Sequence, residues 1–413
     1  MVVGKENIGK EGGGMNPISI ILLSIFVVAF GLVSKRLEKS IITPAIAFVL
    51  FGIFTGPQVL GIIDLASLKG FLHGFAQITL VLILFTDAAK MDISKAGREF
   101  SLAMRLLWIG MPLTMIVGAF IGAVMFPFLG FWGAAVLATI LAPTDAALVQ
   151  PVITNKNLPS HIRQTINIES GLNDGLALPF VLFTMACLGL ASHEHPLDYW
   201  LVFLGKQIVL GPLVGLAAGF AGGKIVHVFL KKQWMNAGFQ QISALAMAVM
   251  IYYLAEEIGG NGFLAVFCGG LIMSRTCTEV CGQMYEFMET QGLLLKLFIF
   301  FIFGNAVIGV SLGWINWQII LYGLLSLTVI RMMPVFIGLI KTGLSLKDKF
   351  VLGWLGPRGL TSNLFAFLVL ERVDIPHHEI IFTVVVLTVF MSILLHGLTA
   401  SPLSRWYIKS TIS

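Results

Sequence analysis

The sequence predicts an all-α integral membrane protein, and three observations support this fold class. Hydrophobic residues make up 57% of the 413 positions, charged residues only 11%, and the mean hydropathy is +0.93. A soluble domain would carry about a quarter charged residues. The apolar residues also form long runs between short charged patches, as in membrane-spanning helices. The lipid bilayer is therefore the expected environment, and the composition excludes a secreted disulfide scaffold, a disordered chain or a nucleic-acid-binding protein.

About thirteen apolar segments have roughly the 20 residues that a helix needs to cross a bilayer. In chain order they lie near 17–33, 41–57, 70–89, 102–126, 131–150, 166–189, 199–223, 240–258, 262–274, 289–310, 316–340, 349–370 and 379–400. The ninth is the shortest. We number the predicted spans in this order.

The positive charges predict the orientation in the membrane. Most of the 26 Lys and Arg residues lie after odd-numbered spans, and cytoplasmic loops carry such an excess. This places the N-terminus outside and the C-terminus in the cytoplasm, across the plasma (inner) membrane. Residues 1–14 are expected to be a disordered tail or an expression remnant. Residues 15–405 are expected to form one membrane domain, and residues 406–413 a short cytoplasmic tail.

Span five contains Pro143, Thr144 and Asp145 in succession. Proline lacks an amide hydrogen and disrupts the preceding turn, which frees backbone carbonyls. Non-helical backbone at this depth is tolerated where protein or a water-filled cavity satisfies it. Freed carbonyls, a hydroxyl and a carboxylate are hard oxygen ligands, so this segment is a candidate cation site. The alternative is a proline kink with a structural aspartate.

Span six carries four polar residues at helical spacing. Ser170 and Asp174 are four residues apart and share one helix face, while Glu169 and Asn173 share a neighbouring face. The spacing predicts that Ser170 and Asp174 point into a cavity together. Glu169 and Asn173 then point elsewhere and require a cation or a hydrogen-bond donor.

Arg331 lies in the middle of span eleven. An isolated arginine at that depth is costly, so it requires a carboxylate partner. A structural pair with Glu169 is the favoured interpretation, with Asp145 as a competing partner.

Span twelve contains a second predicted break. Residues 353–359 read Gly-Trp-Leu-Gly-Pro-Arg-Gly, with Arg358 inside the break. Spans five and twelve cross the membrane in opposite directions, and two such broken helices indicate inverted repeats with a site at the midplane. Asp145 and Arg358 would also neutralise the dipoles of the interrupted helix ends.

Other intramembrane charges give weaker signals. Asp87 lies near the inner end of span three, where it either lines a cytoplasmic funnel or is a solvated helix end. The side chains of Lys206 and Lys296 are long enough to snorkel to the membrane surface, so we assign them no function.

Taken together, these motifs resemble the monovalent cation:proton antiporters, in the sodium/proton exchanger branch with an Asn-Asp pair. The similarity runs from about residue 17 to 405. It is carried by PTD at 143–145, ESGLNDG at 169–175, Arg331, GWLGPRG at 353–359 and HGLTASPL at 396–403.

The resemblance implies thirteen helices in two inverted repeats, divided into a mobile core and a dimerisation part. The core would comprise about 102–189 and 316–400. The dimerisation part would comprise about 17–89 and 199–310, and the protein would be a homodimer.

The resemblance also implies roles for single residues. Asp174 would be the proton and cation carrier, and Asp145, Thr144 and Ser170 would be further Na⁺ ligands. Two alanines follow Asp145 where many relatives have proline, so the loop departs from the family pattern there.

Four further residues match supporting positions of the family. Asn173 marks the electroneutral branch, since the electrogenic branch has Asp at that place. Glu169 and Arg331 match a stabilising ion pair, and Arg358 matches the basic residue of the unwound segment.

The expected function is therefore secondary transport without a cofactor and not an enzymatic reaction. Na⁺ or Li⁺ would exchange for H⁺ by alternating access, 1:1 and electroneutrally, through competition at Asp174. A K⁺/H⁺ exchanger or a cation channel is the alternative. A remote alternative is an intramembrane aspartyl protease using Asp145 and Asp174, although the expected Gly-x-Gly-Asp context is absent.

Overall fold

The regular elements that the structure describes are all helical, as the apolar runs predict. The structure is a computed structural model, and the tail predicted at residues 1–14 lies outside its described residues. These are 17–37, 43–63, 69–89, 97–153, 155, 157–185, 187–188, 197–277, 282–307, 312–370 and 377–412.

The first part of the chain forms eight helices within the described residues. They are α1 (Pro17–Leu37), α2 (Pro44–Thr55), α3 (Lys69–Ala89), α4 (Gly97–Arg105), α5 (Met111–Met125), α6 (Gly130–Ile140), α7 (Gln150–Ile153) and α8 (Ser160–Met185). A π-helical turn, Leu106–Gly110, joins α4 to α5, whose second residue is Pro112. The missing amide hydrogen of that proline interrupts the regular hydrogen-bond ladder.

The second part of the chain continues the bundle. Its helices are α9 (Leu197–Lys231), α10 (Ala237–Glu257), α11 (Gly262–Thr276), α12 (Gly282–Ile302), α13 (Trp317–Leu327), α14 (Val329–Gly338), α15 (Leu346–Trp354), α16 (Leu360–Leu370) and α17 (His378–Ile412). Asparagine caps begin three of them, because the side chains of Asn236, Asn261 and Asn316 accept a hydrogen bond from the first turn. α17 includes residues 406–412, so the predicted tail continues the last helix.

Several helices are suited to a membrane by length and composition. Among the described residues, five segments are long and apolar enough to cross one. They are Gly97–Met125, Val202–Lys231, Gly238–Glu257, Trp317–Gly338 and His378–Ser410. Further apolar helices are shorter, including Pro44–Thr55 and Gly262–Thr276. Thirteen spans and their orientation therefore stay predictions.

Two helices are interrupted where the sequence predicts breaks. α6 ends at Ile140, and the chain runs without helix to Asp145 before a 3-10 turn, Ala146–Val149. α15 ends at Trp354, and residues 355–359 are non-helical before α16. α8 begins at Ser160, earlier than the start predicted at 166, so its polar residues lie inside the helix and not at its end.

Apolar packing surrounds these interruptions. One buried cluster joins α6, α8, α16 and α17 through residues such as Leu137, Ala177, Phe365 and Val385. Another joins the ends of α8, α15 and α17. The polar residues of the two breaks are thus enclosed between apolar layers, where an unpaired charge is expensive.

Candidate cation site

The two interrupted helices contact each other through their backbones. The amide of Asp145 donates a hydrogen bond to the carbonyl of Pro357, with an N···O distance of 2.8 Å. A side chain at Gly359 would collide with the side chain of Asp145. Glycine is therefore required at position 359, where the two interrupted helices approach each other. This steric requirement explains the last glycine of the Gly-Pro-Arg-Gly pattern.

Arg358 binds the end of the other interrupted helix. It is fully buried, and its Nη1 donates to the carbonyls of Ala142 at 2.7 Å and Pro143 at 3.2 Å. A cation is favourable beside the unpaired carbonyls of a helix C-terminus. The sequence predicts that carbonyls freed near Pro143 are cation ligands, and in the structure the carbonyls of Ala142 and Pro143 accept hydrogen bonds from a guanidinium.

Helix α8 holds the rest of the first break in shape. The Ser170 hydroxyl donates to the Thr144 carbonyl and accepts from the Ala146 amide, both at 2.8 Å. Asn173 Nδ2 donates to Thr144 Oγ1 at 2.7 Å. Ser170 and Asn173 therefore both contact Thr144, and the expectation that Asn173 points away from this segment is wrong. The side chains reach the same target because the unwound segment lies across both helix faces.

Asp174 lies beside the unwound segment around Thr144 and is 7% exposed. The Thr361 hydroxyl hydrogen-bonds to its carboxylate, and Asp145 is close enough to act on it electrostatically. Its Oδ1 atom has no hydrogen-bond partner among the described residues, and neither has Oδ1 of the buried Asn173. The site thus contains two buried oxygens whose lone pairs are unused.

Arg331 pairs with Glu169, one of the two carboxylates expected as its partner. Arg331 Nη1 lies 2.7 Å from Glu169 Oε1, and Nη2 donates to Oε2 at 2.9 Å. Both side chains are nearly inaccessible, at 3% and 4% exposure. A side chain on Gly356 would come within 2.6 Å of Arg331 Nε. The second break is therefore packed directly against this ion pair.

Two residues of α17 support the second break and were not expected from the sequence as part of the site. Ser392 Oγ accepts from the Arg358 amide at 2.7 Å and lies 3.1 Å from His396 Nδ1. Both side chains are buried. The sequence feature that could have indicated this role is a serine and a histidine four residues apart in a strongly apolar helix.

A second ion pair lies near Asp174. Lys296 Nζ of α12 is 3.9 Å from Asp87 Oδ2 of α3, and both charges act electrostatically on Asp174. Lys296 therefore has a carboxylate partner, whereas the sequence alone indicated only snorkelling. The sequence feature that could have indicated this pair is the presence of two opposite charges in separate apolar segments.

Comparisons with known proteins agree with this architecture. A family model described as "Sodium/hydrogen exchanger, transmembrane" matches residues 21–406. The K⁺/H⁺ antiporter NhaP of Alkalimonas amylolytica is 26% identical over 392 residues, which cover 94% of this chain and 65% of that protein. The Na⁺/H⁺ antiporter 1 of Methanocaldococcus jannaschii is 27% identical over 370 residues, covering 85% of this chain and 83% of that protein.

A solved structure shows the same fold. The sodium proton antiporter MjNhaP1 from Methanocaldococcus jannaschii at pH 8 superposes with a TM-score of 0.78 at 24% identity, covering 95% of this chain and 99% of that chain. The chain spans 65% or less of the length of several NhaP and NhaP2 relatives.

The family match extends over nearly the whole chain, and this family consists of secondary cation/proton antiporters and not of enzymes. The family match gives no support to the aspartyl protease alternative. The family match and the apolar helices also make the chain a multi-pass integral membrane protein. The chain belongs to the sodium/hydrogen exchanger family.

Proposed function

We propose that the chain exchanges Na⁺ or Li⁺ for H⁺ by alternating access, with Asp174 as the carrier of both ions. The observation that carries this proposal is the buried, unpartnered Oδ1 atom of Asp174. A buried carboxylate with one unpartnered oxygen and no cation bound to it is strongly unfavourable in its charged form. Asp174 therefore requires either a proton or a cation, and the two compete for it.

The surroundings of Asp174 supply oxygen ligands for a monovalent cation. Asp145 adds a second carboxylate, and Asn173 adds an unpartnered carbonyl oxygen. The hydroxyls of Thr144 and Ser170 each accept one hydrogen bond in the structure. A hydroxyl oxygen has two lone pairs, so each retains one for a cation. This supports Asp174, Asp145, Thr144 and Ser170 as the Na⁺ ligands.

The charges around the site favour electroneutral 1:1 exchange. Glu169 is neutralised by Arg331, and Asn173 carries no charge. Of the two carboxylates in this part of α8, Asp174 is therefore the one that can gain or lose a proton during transport. Replacing one Na⁺ by one H⁺ on a single carboxylate moves no net charge.

K⁺/H⁺ exchange is the second candidate. The NhaP relative from Alkalimonas amylolytica and the NhaP2 relatives from Shewanella are named K⁺/H⁺ antiporters. A cation channel is less favoured, because a channel does not require a titratable carboxylate at its site.

The same proposal includes the wider architecture. It comprises thirteen spans in two inverted repeats, a core at about 102–189 and 316–400, and a homodimer formed through about 17–89 and 199–310. The N-terminus lies outside and the C-terminus in the cytoplasm, across the plasma membrane. The contact between the two interrupted helices supports the repeats, because such helices meet at the midplane in inverted-repeat transporters.

A vesicle assay tests the exchange. The protein is reconstituted with a pH-sensitive dye inside, and the dissipation of a proton gradient is recorded after addition of Na⁺, Li⁺ or K⁺ with the membrane potential clamped. We expect cation-dependent proton movement in the wild type and none in Asp174→Asn.

The matched control is Glu257→Gln, which removes an exposed carboxylate at the end of α10 and should leave exchange unchanged. Exchange by Asp174→Asn at the wild-type rate, or no response of the wild type to any of the three cations, would refute the proposal. Rates that depend on the clamped potential would refute its electroneutral part.

A further inference from the structure

The Asp87–Lys296 ion pair acts electrostatically on Asp174 of the proposed transport site. The Lys296 side chain is 18% exposed, whereas the Asp87 side chain is 46% exposed. The ammonium is therefore the better shielded of the two charges. Screening by water weakens the field of an exposed charge more than that of a buried one. The positive charge thus dominates the field of this pair in the protein interior.

The pair is held beside Asp174 by apolar packing. α3, which carries Asp87, packs against α8, α12 and α16. Leu364 of α16 lies one turn beyond Thr361 and shares a buried cluster with Phe85, two residues before Asp87. Thr361 in turn hydrogen-bonds to Asp174. The last turn of α3 therefore faces the same part of α16 that contacts the carrier.

A cation approaching Asp174 experiences both charges of the pair. Asp87 attracts it and Lys296 repels it, and within the described part of the chain the charged groups that act on Asp174 are Asp145, Lys296 and Asp87. With two neighbouring aspartates and no ammonium, the site would bind a cation tightly and release it slowly. A transport site must release its ion as well as bind it.

We propose that Lys296, held by Asp87, is a positioning residue whose fixed positive charge weakens cation binding at Asp174 and so permits release. This inference rests on the proposed exchange at Asp174. Lys296 acts on Asp174 through space and is not proposed as a ligand of the ion.

Substitution of Lys296 in reconstituted vesicles tests the inference. Lys296→Met should lower the KM for Na⁺ roughly tenfold, because removing a unit charge that acts on Asp174 in a medium of intermediate polarity has an effect of this order. The maximal rate should fall together with KM, because release becomes slower. Lys296→Arg should restore both values, since it retains the charge.

Two more variants separate an electrostatic effect from a loss of structure. Asp87→Asn changes a half-exposed residue that should tolerate substitution, and it should raise the KM because one attractive charge is lost. Lys206→Met removes an exposed lysine of α9 and should change neither value. The inference is overturned if Lys296→Met leaves KM unchanged or raises it, or if Asp87→Asn leaves KM unchanged. Should Lys296→Met fail to fold, the Asp87→Asn result decides. Exchange persisting in Asp174→Asn would instead refute the proposed function.

Discussion

Removing one partner of the Glu169–Arg331 pair should destabilise the protein far more than removing both. The two contacts are 2.7 and 2.9 Å long, and both side chains are almost inaccessible. Breaking such a pair leaves an uncompensated buried charge, which costs about 3–5 kcal/mol. Apolar replacement of a whole buried pair is often neutral or stabilising. Glu169→Met and Arg331→Met should each lose about 3–5 kcal/mol, and the double variant should lose about 2 kcal/mol or less.

The free energy of unfolding can be measured by titrating the purified protein from mild detergent into SDS. The eight tryptophans report the transition. The four variants form a double-mutant cycle, whose coupling energy should be about 4 kcal/mol or more. Glu257→Gln provides the control for loss of an exposed carboxylate and should stay within about 0.5 kcal/mol of wild type. Single substitutions that each cost less than about 1 kcal/mol, or losses that simply add, would refute the reasoning.

Three further predictions concern other contacts. Arg358→Lys should lower the melting temperature and the rate of exchange, because an ammonium lacks the planar fork that binds the carbonyls at the end of α6; unchanged values would contradict this role. Asn173→Asp should make exchange depend on the clamped membrane potential, since it adds to the site a further carboxylate beyond Asp174 and Asp145, and voltage-independent flux would count against it. Burial raises the pKa of Asp348, outside the long apolar segments, but hydrogen bonds from Tyr407 and Ser345 lower it more, so the net pKa lies below its ordinary value of 3.8. Tyr407→Phe should therefore cost about 1–2 kcal/mol at neutral pH, and the deficit should shrink as the pH falls through the lowered native pKa; a deficit independent of pH would oppose this reasoning.

The breaks in the helices were predictable because their causes are local. Pro143 lacks an amide hydrogen, and the segment at 356–359 combines a proline with two glycines, so both segments disfavour a continuous helix. The partner of Arg331 was also predictable, since a buried arginine needs a carboxylate and Glu169 is one of the few carboxylates available. Helix α8 and its polar faces followed from spacing alone.

The partners of the unwound segments were not predictable from the sequence. Arg358 binds carbonyls more than 200 residues away, and which carbonyls it meets depends on how the two interrupted helices cross. The predicted direction of the Asn173 side chain was wrong. Helix periodicity determines which face of α8 carries this residue, but it does not determine where the neighbouring unwound segment runs. The Asp87–Lys296 pair likewise depends on the packing of α3 against α12.

The central claim, that a proton and a cation compete for Asp174, is tested most directly by proton release. The purified protein is placed in weakly buffered detergent solution, and the pH is recorded while NaCl, KCl or choline chloride is added. Cation binding to a protonated ligand releases protons, so the wild type should release about one proton per chain with Na⁺ or K⁺ and none with choline, and Asp174→Asn should release none. Equal release from Asp174→Asn, or Na⁺ and K⁺ binding by the wild type without any release, would contradict the account.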